Sequence, residues 1–221
     1  MRVSVIADLH CRGPSDPSQR SFVEWLGRLE GDELWLLGDI LHFGWVFDGR
    51  VQPAFQEVVD ALVDVRKRGI HILFIPGNHD FAVAGLFENT LDAEVRDAHV
   101  RTVDGVRFSL SHGDDLDRSW AYRFFRWVVR ARVFSWGIDL LGPRLGSRML
   151  SALAGGVSPG GDVWDRTRKG LLQRLNDAAV VIVGHIHTPW SYADEKGRVL
   201  VLTPGVPVLI EDGVLVTEPH G

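Results

Sequence analysis

Five short apolar runs in this chain each stop at a glycine or at a side chain that has no packing role. Val3 to Ala7 runs into Asp8-Leu9-His10, and Leu34 to Leu37 into Gly38-Asp39. Ile70 to Ile75 reaches Pro76 and then Gly77-Asn78-His79-Asp80. Val106 to Ser111 runs into His112-Gly113-Asp114, and Val180 to Val183 into Gly184-His185-Ile186-His187. Runs this short and this rich in β-branched residues read as buried strands. Between the first three lie two stretches of helical period. Ser18 to Leu29 puts Phe22, Val23, Leu26 and Leu29 on one side, and Val51 to Arg68 does the same with Val51, Phe55, Val58, Val59, Leu62 and Val65. Gly69 stops the second helix. Strand, helix, strand, helix, strand at this spacing calls for parallel strands joined by crossover helices. Asp104-Gly105, between Val100–Val103 and Val106–Ser111, signals a hairpin. Residues 115–176 change character and read as helical, after which short strands return at Val180–Val183, Val199–Thr203, Val208–Ile210 and Val214–Val216. The expectation is one layered α/β domain over residues 1–221, with a helical insertion at about 115–176.

Composition excludes several classes. With 221 residues, 45% of them hydrophobic, the chain buries a sizeable core as one large domain. A net charge of −5 argues against a general nucleic-acid partner. A single cysteine, Cys11, rules out an internal disulfide framework and fits a reducing, cytoplasmic compartment. The opening stretch MRVSVIADLH is broken by Asp8 and does not read as a signal peptide. No apolar run approaches the roughly 18 residues a spanning helix needs.

The strand exits then carry the chemistry. In layered α/β sheets ligands bind at the carboxyl ends of strands, where side chains distant in sequence meet. Imidazole, carboxylate and amide groups suit Mn²⁺, Fe²⁺ or Zn²⁺, and the absence of thiolates argues against a structural zinc site. Asp8 and His10, two apart on an extended segment, point to one side and chelate one ion; His185 and His187 repeat the spacing. Seven candidate ligands (Asp8, His10, Asp39, Asn78, His112, His185 and His187) are too many for one ion and about right for two that share a carboxylate. Each signature alone is weak: Gly-Asp is more often a turn, and a pair of histidines is more often a solvated surface. Their succession, each directly after an apolar strand, is what carries the reading.

This ordered set resembles the calcineurin-like metallophosphoesterase superfamily. Its pattern of Asp-x-His, Gly-Asp, Gly-Asn-His-Asp, His-Gly-Asp and Gly-His-x-His is complete between residues 8 and 187. The resemblance implies a two-sheet β-sandwich flanked by helices, with two divalent metal ions at the strand ends. One ion is then held by Asp8, His10, Asp39 and His187, the other by Asp39, Asn78, His112 and His185, with Asp39 bridging. Two ions bring four positive charges; Asp8 and Asp39 cancel two, and the surplus favours a phosphate diester or pyrophosphate. Ions about 3.5–4 Å apart clamp phosphoryl oxygens and lower the pKa of a bridging water, which as hydroxide attacks phosphorus. His79 is placed to stabilise developing charge or to protonate the leaving group. Asp80 either orients His79 or caps the loop.

Substrate identity is a separate matter. Between Arg118 and Arg148 stand seven arginines against one acid, Asp139, interleaved with Trp120, Tyr122, Phe124, Phe125, Trp127, Phe134 and Trp136. On a helix, Trp120, Phe124, Trp127, Val128 and Ala131 make one apolar face, and Arg123, Arg126 and Arg130 a separate basic stripe. The plain reading is a helical hairpin packed on the core with solvated arginines. The sharper one is a lid that meets lipid phosphates at a membrane surface or walls an acyl chain. Arg12 and His42, beside the strand exits, join Arg123, Arg126, Arg130 and Trp127 as candidate substrate-binding residues. The segments ADLHCRGPS, ELWLLGDIL and SHGDDLDRSWAYRFFRWVVR are similar to the UDP-2,3-diacylglucosamine hydrolases of lipid A biosynthesis. That resemblance implies pyrophosphate cleavage to UMP and 2,3-diacylglucosamine 1-phosphate, dependence on Mn²⁺, and peripheral attachment to the inner membrane through the 118–148 segment. Two positions depart from it: His79 stands where those enzymes carry arginine, and His42 where they carry an acid. A soluble phosphodiesterase or phosphatase acting on a nucleotide or phosphoprotein is therefore the alternative. A non-catalytic scaffold of the same fold comes last, because the ligand set is complete.

Overall fold

A computed structural model describes residues 1–47, 49–116 and 162–216. Its strands are β1 (Arg2–Ile6), β2 (Glu33–Leu36), β3 (Val46–Phe47), β4 (Arg50–Val51), β5 (His71–Phe74), β6 (Glu94–Val95), β7 (Ala98–Val103), β8 (Val106–Ser111), β9 (Val180–Val183), β10 (Trp190–Asp194), β11 (Gly197–Val201), β12 (Val208–Glu211) and β13 (Val214–Leu215). The helices are α1 (Pro17–Arg28), α2 (Gln56–Lys67), α3 (Ala84–Leu91) and α4 (Asp162–Arg174). A six-stranded sheet runs in the order β13-β12-β1-β2-β5-β6, and β1, β2, β5 and β6 pair in parallel. A five-stranded sheet runs β10-β11-β9-β8-β7, with β8, β9 and β11 parallel.

The layering follows from alternation along the strands. On β2, Leu34 and Leu36 face the helices α1 to α3, while Trp35 and then Leu37 face the second sheet. On β5, Ile72 and Phe74 take the helical side, and Leu73 and Ile75 the inter-sheet side. Both faces of these strands are covered, which is why they read as unbroken apolar runs. On the far side Leu171 of α4 and Leu175, just beyond its end, pack on Val181, Val183, Val199 and Val201. The order is helix, sheet, sheet, helix, and each fully buried aliphatic side chain contributes roughly 1.5–3 kcal/mol. This is the two-sheet sandwich flanked by helices that the sequence leads one to expect.

Local details refine the sequence reading. Asp16 caps α1, its carboxylate accepting the Ser18 N–H at 3.0 Å, and Pro17 opens the helix. The second helix is shorter than its periodicity predicts. Val51 pairs with Val46 in the β3–β4 hairpin, and Pro53 opens a short 3₁₀ turn before α2 begins at Gln56. The 104–105 hairpin forms as expected, with Asp104 at φ 48° and Gly105 at φ 83°, the pair of positive angles that a tight two-residue turn requires. Strands β3, β4, β6 and β10 and helix α3 escape the sequence reading; β3, β4 and β6, two residues each, are too short to show a period. Of the helical insertion at about 115–176, residues 117–161 lie outside the described residues; α4 follows them. Among the described residues no helix is long and apolar enough to cross a membrane.

Candidate metal centre

All five polar strand exits open at one end of the sandwich, and backbone hydrogen bonds fasten them to each other. The Asp8 N–H donates to Gly38 O at 3.0 Å, His10 N to Asp39 O at 2.8 Å, and Cys11 N to Ile40 O at 2.9 Å. Across in the second sheet, Gly184 N donates to His112 O at 2.9 Å. Side chains then tie sheet to sheet. Both Asp8 oxygens accept the His185 N–H, at 3.0 and 2.8 Å, and His112 Nδ1 lies 2.8 Å from Leu37 O. Arg174 of α4 donates to Ser111 Oγ at 2.6 Å and to Asp115, bracing the His112 exit from outside.

The backbone of these exits is not extended. Asp8 (φ 56°), His10 (φ 48°), Asp39 (φ 54°), His185 (φ 66°) and His187 (φ 53°) all sit in the left-handed region. The alternation argument that paired Asp8 with His10 and His185 with His187 on one side of a strand therefore does not describe the chain. Asp8, His10 and His187 do gather, with donor atoms within 4.8 Å of one another. His185, however, turns to a different group, with Asp39 and His112. Left-handed conformations cost a non-glycine residue about 1–3 kcal/mol each, and such strain collects at functional sites. Phe43, which the sequence reading passed over, shares the conformation at φ 54° and packs on His79 with ring centroids 4.3 Å apart.

Asp39 stands between the two groups. Its Oδ1 accepts the His79 N–H at 2.9 Å. Its Oδ2 faces His112 Nε2 at 3.5 Å, His10 Nε2 at 3.7 Å and His79 Nε2 at 4.0 Å. Asn78 Oδ1 lies 3.4 Å from His112 Nε2, His187 Nε2 is 3.6 Å from Asp8 Oδ1, and the Nε2 atoms of His10 and His187 are 3.2 Å apart. Two ligands on one cation, each bonded at about 2.0–2.2 Å, stand roughly 3–4 Å from each other. Facing imidazole nitrogens and a carboxylate oxygen at such separations are the donor set a divalent ion takes, and without thiolates the set suits Mn²⁺, Fe²⁺ or Zn²⁺. The residues present thus fit the metal that the fold implies. Glycine makes the approach feasible: a Cβ on Gly77 would lie 2.1 Å from Asp39 Oδ1, and one on Gly184 2.6 Å from Asp8 Oδ2.

Charge is distributed unevenly. Burial opposes ionisation of Asp39, but His112, His79 and His10 hold its carboxyl well below the usual range. Burial likewise opposes charge on His112, yet Asp39, Asp8 and Asp114 push it up to about 10. Burial, with neighbouring imidazoles, holds His79 and His42 down at about 4. His10 and His185 are lowered mainly by burial, while a hydrogen bond to Asp8 raises His187. A cation bound here has to displace the proton of His112, so its affinity rises with pH.

The other sequence candidates fall as follows. Asp80 is fully buried and does not orient His79. Its Oδ1 accepts Gly77 N–H at 2.8 Å, and its Oδ2 accepts Ile40 N–H at 2.7 Å and Leu41 N–H at 3.4 Å. It clips the Gly-Asp loop to the Gly-Asn-His-Asp loop. His42 stacks on His79 with ring centroids 5.2 Å apart and planes at 27°. Arg12 is exposed, its backbone N–H donating to Asp16, and its charge is among the causes that lower His42. Arg123, Arg126, Arg130 and Trp127, with the whole 118–148 basic aromatic segment, lie outside the described residues.

The sandwich and its strand-end cluster define a metal-dependent phosphoester hydrolase, and residues 1–189 match the calcineurin-like phosphoesterase family model; the chain belongs to that family. Within it the curated relatives include UDP-2,3-diacylglucosamine hydrolase of Ralstonia nicotianae, 28% identical over 98% of this chain and 92% of that protein. The enzyme of the same description from Aeromonas salmonicida is 26% identical over 93% of this chain and 91% of its own length. Among solved structures, Vps29 from Entamoeba histolytica complexed with zinc aligns over 97% of this chain and 89% of that one, at 14% identity and a TM-score of 0.47.

Proposed function

We propose that the chain hydrolyses the pyrophosphate bond of a nucleotide-linked lipid of the UDP-2,3-diacylglucosamine type, with two divalent ions, Mn²⁺ first among them. Asp8, His10, Asp39 and His187 would hold one ion and Asp39, Asn78, His112 and His185 the other. When bound, such a pair neutralises phosphoryl oxygens and ionises water near neutral pH. The observation that carries the reading is Asp39 Oδ2, which stands 3.5 Å from His112 and 3.7 Å from His10, one imidazole of each group, and so supports a shared carboxylate. The relatives of similar length supply the substrate class.

The protein's own groups have distinct tasks. His79 is neutral at pH 7, because burial holds it at about 4, and a nearby cation lowers it further. A neutral ring donates an N–H to a phosphoryl oxygen and is a poor source of a whole proton for the leaving group. Its position is fixed from three sides: its backbone N–H on Asp39, its carbonyl accepting Gly44 N–H at 2.9 Å, and its ring against Phe43 and His42. Asp80 acts on the backbone and keeps Asn78 and Asp39 in register. The basic aromatic segment 118–148 would meet the lipid at the surface of the inner membrane from the cytoplasmic side.

A second reading, a soluble phosphodiesterase on a nucleotide or phosphoprotein, is favoured by one observation: His42 stacks on His79, at the two positions where the resemblance to the lipid A enzymes implies an acid and an arginine. Parallel assays separate the two. With Mn²⁺, the first reading predicts turnover of UDP-2,3-diacylglucosamine in mixed micelles well above that of a generic aryl phosphodiester. Turnover of the diester alone removes the lipid substrate and leaves the second reading.

A further inference from the structure

A cleft of about 550 Å³ runs along α1 beside the exit of β1, and its lining shares Asp8 with the candidate metal centre. Its inner end is formed by Asp8 and Leu9, the exit of β1. One wall is α1, presenting the hydroxyls of Ser18 and Ser21 and the ring of Trp25; the other is the Pro204–Pro207 loop. Trp25 is held flat, stacked on the buried Phe22 with centroids 5.9 Å apart and planes at 22°. Gly205 N donates to Ala7 O at 2.9 Å, so the proline wall is anchored to the same strand that delivers Asp8. The cleft is thus a slot between a supported indole and two pyrrolidine rings, with hydroxyls at its mouth.

We infer that this slot takes the nucleoside of a nucleoside 5′-phosphate whose phosphate lies at the metal centre; the inference rests on the proposed function and assigns the nucleotide half of that substrate. Ring faces of tryptophan and proline suit a planar heterocycle, and serine hydroxyls suit its polar edge and ribose. An acyl chain fits poorly, because the slot meets solvent along the exposed Ser18 and Ser21 and would leave methylenes in water. From Pro17 to Trp25 the helix rises about 12 Å, comparable with the length of a nucleoside 5′-phosphate. Beyond Trp25 the groove continues into a second depression of about 340 Å³ that contains Arg2 and Arg28. Arg2 is already within 3.3 Å of Glu211, and Arg28 within 3.9 Å of Glu24, so this end does not call for a further phosphate.

The test is calorimetric binding of UMP and of inorganic phosphate to the Mn²⁺-loaded protein, with hydrolysis of bis(p-nitrophenyl) phosphate followed in parallel. The wild type should bind UMP at least about tenfold more tightly than phosphate. Trp25→Ala should abolish that increment and leave phosphate affinity within twofold. Ser21→Trp, on the exposed mouth, should do the same by filling the slot, and it covers the case in which Trp25→Ala folds poorly. Equal UMP affinity in wild type and both variants, or parallel losses for UMP and phosphate, would overturn the assignment. Competition by a short acyl phosphate that both variants relieve, with UMP unaffected, would overturn it in favour of a lipid subsite. Should no phosphoester be cleaved while the UMP increment still depends on Trp25, the slot stands and the hydrolase reading falls.

Discussion

The two ends of the sandwich treat a buried carboxylate in opposite ways. Where β2 begins, Glu33 is 6% exposed and its charge is met inside the chain. Trp35 Nε1 donates to one oxygen at 2.7 Å and Arg101 to the other, and Arg101 continues to Glu94 at 3.4 Å. Where β2 ends, Asp39 is 1% exposed, yet its Oδ2 has three imidazoles around it, none closer than 3.5 Å. The backbone differs in the same sense. At the first end, left-handed residues are Asp104 and Asp212, each followed by glycine in a hairpin turn, and Asp92, the C-cap of α3. At the second they are Asp8, His10, Asp39, Phe43, His185 and His187. One end is complete as folded and uses its acid for stability. The other is strained and incomplete until cations arrive, as expected where structure yields to function.

Substitution should separate the two acids. Asp39→Asn removes the carboxylate proposed to be shared by two ions, so Mn²⁺-dependent hydrolysis should fall by at least about 10²–10³-fold. The rise in melting temperature that Mn²⁺ gives the wild type should vanish with it. A variant that keeps the thermal response has a metal centre that does not use Asp39. Gly77→Ala comes next. Its methyl would lie 2.1 Å from Asp39 Oδ1 and 2.6 Å from Asp39 N, so Asp39 has to move. A shift near 1 Å should lower turnover about 10²-fold and shrink the thermal response, with native circular dichroism. Glu33→Gln is the mirror case. It removes the charge from the nearer of Arg101's two acidic partners, leaving Glu94 at 3.4 Å, and should cost about 2 kcal/mol in urea unfolding, while turnover per folded molecule stays within twofold. Equal damage to activity from Glu33→Gln would erase the distinction between the ends.

How much of this the sequence discloses depends on what kind of information each part needs. The buried strands are legible because both faces are covered, and Leu34 to Leu37 can only be apolar throughout. The site is legible because each polar group follows such a run, and the end of a run marks the end of a strand. What escapes is anything carried by backbone angles. Nothing in Asp8-Leu9-His10 announces two left-handed residues, so the reason given for its convergence is wrong even though the side chains meet. Asp80 escapes for a related reason: its partners are N–H groups of Gly77, Ile40 and Leu41, and backbone donors leave no trace in residue identity. Helix α3 is too short, at 8 residues, and too weakly periodic to stand out. The Trp25 slot escapes because Pro204 to Pro207 lies about 180 residues further along the chain, beyond the reach of any local pattern.

The smallest effect, and the most direct measure of incompleteness, is the acid limb of stability in metal-free protein. His79 is held at about 4 in the fold, against about 6.5 in an unfolded chain. Between those values the unfolded state carries a proton that the folded ring refuses, so stability rises with pH and is lost as pH falls from 6.5 towards 4. His112 has the opposite sign: pushed up to about 10, it stabilises the fold below pH 6.5, and that contribution is lost as pH rises towards 10. Metal-free protein should therefore weaken on both sides, through different imidazoles of one cluster. In urea titrations His79→Gln should flatten the acid limb by up to about 1.4 kcal/mol per pH unit and leave the alkaline limb as it was. An acid limb equally steep in wild type and variant would mean that the folded protein accepts the His79 proton freely, and that this end is no less complete than the one around Glu33.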